Sequence, residues 1–295
     1  MPLQHRPLQD SFAVEVFGIN LWEPLAPADA DTLRALWSQH ALVLIRRQSL
    51  SERDLVNFSA LFGQVERREV RSDWRSKFQP EITMITNLRN IENQPIGGLA
   101  EGELQWHSDQ AYVLHPATGA ILHAIELPPQ GGNTSWANLS LAWDALPAGL
   151  KQRIEGRKGI FSYAKRLGIY NSADRGNVEE IRKKTPDVAH PLVLTHPVTG
   201  RKSLYLDPTT LERIEGLDST ASDALVTELV TAATQPRFVY VHEWQVGDVI
   251  MWDNACLLHR RDDFERTHNR LMKRTTIALN PTRHFIPDGE LARAA

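Results

Sequence analysis

Apolar positions recur along the chain with two different periods. Phe12 to Ile19 (Phe-Ala-Val-Glu-Val-Phe-Gly-Ile) alternates imperfectly and predicts a strand that ends at a glycine. Leu33, Leu36 and Trp37 at helical spacing predict a helix from Pro27 to about His40, and the continuous apolar run Ala41-Leu42-Val43-Leu44-Ile45 predicts a buried strand. Ser51 with Asp54 three residues on has the form of an N-cap, so a helix is expected to run on to Phe62-Gly63. Strands are expected at Ile82–Thr86, Ala117–Leu127 and Thr134–Trp136, the last entered through the turn Pro128-Pro129-Gln130-Gly131-Gly132-Asn133. Ser140 is the expected cap of a helix over Leu141–Leu146, and Pro147–Arg153 predicts another. Residues 155–190 are charged and irregular, and suggest helical pieces in an exposed insertion. Short strands follow at Leu192–His196 and Ser203–Leu206 around a Pro197-Val198-Thr199-Gly200 turn, then a helix at about Ser219–Thr234. Strands are also expected at Arg237–Glu243, Val249–Asn254 and Arg270–Ala278. With no linker, low-complexity tract or internal repeat, the pattern predicts one domain, mostly β with flanking helices, of β-sandwich or jelly-roll type. Residues 1–11 are expected to form a loose lead-in and 283–295 a C-terminal tail.

Composition narrows the class without fixing it. The 295 residues, 42% hydrophobic and 23% charged, suffice for a sizeable core. A net charge of −3 leaves no basic footprint for nucleic acid, and no apolar run reaches membrane-spanning length. The polar stretch Met1 to Asp10 lacks a signal-peptide core, so a cytoplasmic location is expected. A single cysteine, Cys256, excludes an intramolecular disulfide framework and a cysteine-rich zinc site.

The chemistry concentrates at Trp106-His107-Ser108-Asp109. In a strand, residues i and i+2 share a face, so His107 and Asp109 would present an imidazole and a carboxylate side by side. Alone, a His-x-Asp tripeptide is more often a surface turn. With His259 as a distant third ligand it makes a two-histidine, one-carboxylate facial triad, which suits non-haem Fe(II) with open positions. The arginine-rich stretch Gln64–Phe78 reads as a solvated loop or, alternatively, as a cationic edge over the site, with Arg68 and Arg71 as candidates. Asn87 to Gly102 is long enough to be a lid or binding loop. Trp106 and Trp252 read as wall and core, Asp253 and Asn254 as hydrogen-bonding turn residues, and Cys256 as a packed small hydrophobe. His115, His123, His196 and His242 stand singly and are assigned no function.

Together these residues resemble the taurine/2,4-dichlorophenoxyacetate dioxygenase family of Fe(II)- and 2-oxoglutarate-dependent oxygenases. The resemblance rests on Trp106-His107-Ser108-Asp109, Gly131-Gly132-Asn133-Thr134, His196-Pro197-Val198-Thr199-Gly200, Trp252-Asp253-Asn254, His259, Arg270 and Arg274-Thr275-Thr276, in that order, over about residues 12–280. It implies a double-stranded β-helix (jelly-roll) core. It also implies that His107, Asp109 and His259 hold Fe(II), leaving positions for 2-oxoglutarate and O₂. Arg270 would pair with the distal carboxylate of 2-oxoglutarate, which a planar guanidinium can bind bidentately, and Thr134 would donate a hydroxyl to it. Arg274, four residues further along a strand, would anchor an acidic group of the primary substrate. The resemblance makes self-association plausible.

The expected activity is therefore hydroxylation of a C–H bond of a small anionic carboxylate, sulfonate or sulfate substrate, with formation of succinate and CO₂. Hydroxylation beside an ether or ester oxygen would collapse to a carbonyl and release the leaving group. The same ligands would serve desaturation or cyclisation, and a jelly-roll protein holding a structural or hydrolytic metal is the alternative from another class. In the taurine branch a histidine and a tyrosine follow the Phe-Gly of the second helix. Here Phe62-Gly63 is followed by Gln64-Val65-Glu66-Arg67-Arg68-Glu69-Val70-Arg71, with neither, which argues against taurine.

Overall fold

The computed structural model describes residues 3–8, 12–67, 72–99, 104–170 and 178–292. Alternation in the central strands decides the architecture. In Leu42–Ile45, Leu42 and Leu44 enter one apolar cluster while Val43 and Ile45 enter another. Val249–Asp253 divides the same way, with Ile250 and Trp252 on the first side and Val249 and Met251 on the second. Side chains two apart share a face, so the sheet these strands form is buried on both sides and needs a cover on each.

That sheet has eight strands. Seven run in the order Gln4–Leu8, Ala13–Phe17, Leu42–Ile45, Val249–Asp253, Gly119–Glu126, Leu271–Leu279 and Gly63–Val65, and Thr83–Thr86 also pairs with Leu271–Leu279. All pairings are antiparallel except Ala13–Phe17 with Leu42–Ile45. One face is covered by helices Pro27–His40 and Glu52–Ser59. Leu33, Leu36 and Trp37 of the first lie against the sheet, and the Trp37 ring meets Phe62 edge-on at 5.1 Å. The second helix has the expected reciprocal cap: Asp54 N donates to Ser51 Oγ and Ser51 N to Asp54 Oδ2. The other face is covered by a three-stranded antiparallel sheet, Val239–His242, Thr134–Asn138 and Leu257–Arg261. Trp136, Leu257 and Leu258 of this sheet join Leu42, Leu122, Ile250 and Trp252 of the large one in a single cluster. A pocket lies between these two sheets.

Several expectations differ from what forms. Gln4–Leu8 is a strand, not a loose lead-in, paired along its length with Ala13–Phe17. The C-terminal stretch is anchored too: Glu290–Leu291 pairs with Val188–Pro191, and His284 and Phe285 are buried. Residues 155–190 contain helices Tyr163–Tyr170 and Val178–Lys184, but also strands Lys158–Phe161 and Val188–Pro191 of a four-stranded sheet. The helix cap is Asn138, not Ser140, because its Oδ1 accepts from the amides of both Ser140 and Leu141.

Four histidines outside the site are spent on structure. His123 bonds the Gln48 carbonyl, and His242 bridges Tyr240 and the buried Asp248. His190 is fully buried between the rings of Phe161 and Tyr205 and donates from Nε2 to the Val113 carbonyl at 3.0 Å. Burial pushes its pKa down to about 4, and lowers His123, His196 and His242 as well. The unfolded imidazole takes up its proton near 6.5 and the folded one only near 4, so stability is fully present above 6.5 and is lost as pH falls through that window. We expect His190 alone to account for on the order of 3 kcal/mol of this loss. Melting temperatures measured from pH 7 to 4 should fall steeply, and less steeply in His190→Gln; an equal slope in the variant would remove His190 as a cause.

Candidate active site

His107 and Asp109 do not lie on a regular strand. His107 forms a single antiparallel bridge with His259, its amide donating to the His259 carbonyl at 2.9 Å and its carbonyl accepting from the His259 amide at 2.8 Å. His259 itself sits in the strand Leu257–Arg261, directly opposite Trp136. The bridge makes the two histidines cross-strand neighbours with ring centroids 4.1 Å apart. The chain then turns, and the turn delivers Asp109. His107, Asp109 and His259 each offer a ligand atom within 4.8 Å of the others.

The turn is clamped from two directions. Asn254 takes one side: its carbonyl accepts from Ser108 Oγ at 2.8 Å, and its Oδ1 accepts from the Asp109 amide and from Trp252 Nε1. Gln110 takes the other, with a backbone φ of 63°, in the left-handed region that non-glycine residues avoid. Its side chain holds that conformation, Nε2 donating to Glu66 Oε2 at 3.0 Å and Oε1 accepting from the Ala117 amide at 2.9 Å. A strained residue directly after a buried carboxylate persists only where its surroundings over-determine it.

The protonation states suit a cation. His107 Nδ1 donates to the Gln105 carbonyl at 2.8 Å, which leaves Nε2 as the bare donor atom. Burial pushes the pKa of His107 down to about 3, helped by His259 and Arg166, and that of His259 down to about 4. Burial alone would raise Asp109. The Arg274 guanidinium, 2.8 Å from its Oδ2, together with the two imidazoles and Arg166, instead holds it well below the usual carboxylate range. Two neutral imidazoles and one carboxylate form a nitrogen- and oxygen-rich set that fits a non-haem iron centre.

A pocket between the sheets adjoins the triad, with Thr134, Arg261, Arg270 and Arg274 on its wall beside His107 and His259. Period-2 alternation explains who faces it. Arg274 stands opposite Leu122 on the inner face, whereas its neighbours turn outward: Lys273 pairs with Glu52 at 2.9 Å and Thr275 bonds Ser59. Arg270 is 1% exposed, so its guanidinium is held entirely within the protein. Its Nη2 donates to the Gly132 carbonyl at 3.4 Å. Gly131 and Gly132 both have positive φ, and a Cβ on Gly131 would lie 2.4 Å from the Asp263 carbonyl, so only this glycine pair brings the backbone so close. Thr134 Oγ1 accepts from Trp244 Nε1 at 2.9 Å, which leaves its own hydrogen to donate.

The sequence-predicted residues therefore converge, apart from Arg68 and Arg71, which lie outside the described residues. Pattern reasoning missed Gln105, Gln110 and Trp244, whose contacts depend on tertiary placement. Arg261 was open to discovery, being two residues beyond His259 on the same strand. Arg166 was also missed. It lies on helix Tyr163–Tyr170, within 3.4 Å of the Ser108 carbonyl and of Thr209 Oγ1, 3.6 Å from the buried Asp207, and its charge acts on all three triad members.

Residues 4–276 match the family model described as taurine catabolism dioxygenase TauD, TfdA family. The chain belongs to this family. It is 31% identical to an alpha-ketoglutarate-dependent 2,4-dichlorophenoxyacetate dioxygenase of Burkholderia sp. (strain RASC), over 94% of each chain. It is 32% identical to an (S)-phenoxypropionate/alpha-ketoglutarate dioxygenase of Sphingobium herbicidovorans, over 93% of this chain and 94% of that one. An alkylsulfatase of Acinetobacter baylyi is 27% identical over 94% of this chain and 85% of its own. Among solved structures, AAD-2 in complex with Mn(II) and N-oxalylglycine superposes with a TM-score of 0.81 at 30% identity, covering 95% of this chain and 98% of that one. As a member of the family the chain is a 2-oxoglutarate-dependent non-haem iron dioxygenase that uses Fe(II), 2-oxoglutarate and O₂.

The left-handed Gln110 generates a test. Gln110→Gly keeps the backbone accessible, whereas the β-branched Gln110→Val should cost roughly 1–2 kcal/mol at positive φ. If the loop relieves that strain by moving Asp109, Mn(II) affinity should fall by about tenfold in the valine variant and much less in the glycine variant. Electron paramagnetic resonance of free Mn(II) measures this. Equal losses in both would put the effect in the side-chain clamp and not in the backbone.

Proposed function

We propose that the protein hydroxylates a C–H bond of a small organic anion, with His107, Asp109 and His259 holding Fe(II), Arg270 and Thr134 holding 2-oxoglutarate, and Arg274 engaging the anionic group of the substrate. The convergence of the triad, a fully buried guanidinium and an available hydroxyl on one inter-sheet pocket carries this reading. The two facing sheets would then be the double-stranded β-helix core of a single catalytic domain.

Bound Fe(II) supplies the oxidative chemistry, in which O₂ and 2-oxoglutarate are consumed, succinate and CO₂ are formed, and one oxygen atom enters the substrate C–H bond. The protein supplies orientation and dryness. Arg270 offers a planar fork to a carboxylate, and Thr134, already accepting from Trp244, donates its hydrogen to the same group. The Gly132 carbonyl near Arg270 Nη2 keeps the fork aimed. Arg274 binds Asp109 through Oδ2, which disposes that carboxylate to present its other oxygen. Trp136 and Trp252, both essentially inaccessible to solvent, wall the pocket against water.

The relatives' substrates support a carboxylate or sulfate ester with a C–H bond next to the bridging oxygen. Hydroxylation there would give a hemiacetal-type product that collapses to a carbonyl and an alcohol, phenol or sulfate. The absence of the taurine-branch histidine and tyrosine after Gly63 points the same way.

Anaerobic addition of Fe(II) and 2-oxoglutarate should produce a weak visible charge-transfer band, and a panel of aryloxy acids and alkyl sulfates should contain compounds that shift it. His107→Ala should lose oxygen-dependent succinate formation while keeping its fold; succinate formation that survives would refute the ligand assignment. Arg270→Lys keeps the charge but loses the fork, so KM for 2-oxoglutarate should rise by about ten- to a hundredfold, with a smaller change in kcat. An unchanged KM would move the co-substrate elsewhere.

A further inference from the structure

One sequence motif and part of another do not reach the pocket between the sheets. The His196-Pro197-Val198-Thr199-Gly200 turn and Asp253 help to line a separate cavity of about 900 Å³, which shares no lining residue with that pocket. Its volume is that of a small-molecule site.

The floor of this cavity is polar, buried and already satisfied. His196 is 4% exposed and Asp253 2%. His196 Nδ1 accepts from the amides of Val198 and Thr199, which places its hydrogen on Nε2, facing Ser38 Oγ at 3.3 Å. Asp253 Oδ1 accepts from the Ala255 amide, and its Oδ2 lies 3.4 Å from His284 Nδ1. Asp253, the only carboxylate lining the cavity among the described residues, is thus held inward by the Ala255 amide and lies beside His284.

The rim is cationic. Arg34 is committed to the Leu61 carbonyl and to Asp31. Arg201 and Arg283 are not: both are exposed, and among the described residues no carboxylate pairs with either. Their main chains converge on one point. The His196 amide donates to the Arg201 carbonyl, and Ser38, the partner of His196, donates to the Arg283 carbonyl. The charge of Arg201 reaches the floor, where it acts on His196 and Cys256. Phe12, Leu141 and Phe285 supply apolar wall. Two guanidinium groups without counter-ions beside a half-apolar cavity match an oxyanion carried on an organic body.

We propose that this cavity is a second ligand site, separate from the iron centre, for a small organic anion whose phosphate or carboxylate group is held by Arg201 and Arg283. The inference does not depend on the metal or on the identity of the primary substrate.

The test uses full-length protein loaded with Mn(II) and saturated with N-oxalylglycine, so that the triad and the 2-oxoglutarate pocket are filled. Inorganic phosphate, pyrophosphate and citrate are titrated in by calorimetry, the first two reporting a phosphate preference and the third a carboxylate preference. One-to-one binding is expected for at least one probe. It should weaken by about tenfold or more in the Arg201→Gln/Arg283→Gln double variant, and be unaffected in Arg274→Gln. Both rim side chains are exposed, so the double variant should melt like wild type without anion and lose only the anion-induced rise in melting temperature. A double variant that melts early is replaced by Arg201→Lys/Arg283→Lys, which should retain part of the affinity. The proposal is overturned if no probe binds, if the double variant binds as wild type does, or if Arg274→Gln abolishes binding, which would place the anion in the substrate pocket.

Discussion

Two reciprocal main-chain hydrogen bonds between His107 and His259, at 2.9 and 2.8 Å, are the constraint on which the site depends. One histidine is delivered by a regular strand of the small sheet and the other by a loop with no strand of its own. Only the bridge fixes their relative height and rotation. A single bridge would be a weak attachment, since each hydrogen bond contributes about 1 kcal/mol net. The structure reinforces it at the adjacent residues. Ser108 and Asp109 are tied to Asn254 at the end of a central strand, and Gln110 is tied to Glu66 and Ala117. The loop thus gains a rigidity that its local sequence does not confer, which is what a metal ligand needs if its geometry is to survive the exchange of ligands beside it.

The sandwich around the bridge follows from strands with two apolar faces. Because Leu42–Ile45 and Val249–Asp253 alternate between two clusters, the large sheet cannot leave either face to water. The helices close one side and the small sheet the other. The inter-sheet space is where inward positions of Leu271–Leu279 and Leu257–Arg261 meet, so arginines at these positions are forced into a low-dielectric pocket. Burying a guanidinium is costly without a compensating anion or hydrogen bonds. Arg274 has its anion in Asp109. Arg270 contacts the Gly132 carbonyl through Nη2, and its planar fork suits a carboxylate on the proposed reading.

What was legible in the sequence was what local rules control. The Pro27–His40 helix, the Ser51 cap and the central strands all formed where apolar period and capping chemistry put them, because burial on a flat or cylindrical surface enforces those periods. The set His107, Asp109, Thr134, His259, Arg270 and Arg274 was expected from the family resemblance, and the structure brings these residues together around one pocket. What failed needed tertiary information. Gln4–Leu8 is almost wholly exposed and carries no apolar alternation, so only its pairing with Ala13–Phe17 makes it a strand. Lys158–Phe161 and Val188–Pro191 lie in a charged stretch and form strands by pairing with each other, the first also with Leu211–Ile214 and the second with Glu290–Leu291. The His-x-Asp segment was placed on a strand because i and i+2 share a face there. The same juxtaposition arises here from one bridge followed by a turn whose left-handed residue is a glutamine, not the glycine or asparagine that would have announced it.

Charge placement links the site to the choice of substrate. Within the described residues, Arg166, Arg270 and Arg274 act on or line the centre, whereas Asp109 is the carboxylate at the triad, and an Fe(II) there would add two further positive charges. A neutral substrate would leave that excess uncompensated beside a dianionic co-substrate held by Arg270. A monoanion placed near Arg274 would lessen that excess, and would do so by sharing the guanidinium that holds Asp109 Oδ2. Arg274 is 21% exposed at its side chain and Asp109 9%, so the arginine is the more accessible partner of the pair. The anion would draw the guanidinium toward itself while the Asp109 main chain stays tied to Asn254. On the proposed reading one arginine would steady the triad before the substrate arrives and position the substrate afterwards, a double duty that a strand of the large sheet holds in register better than a loop would.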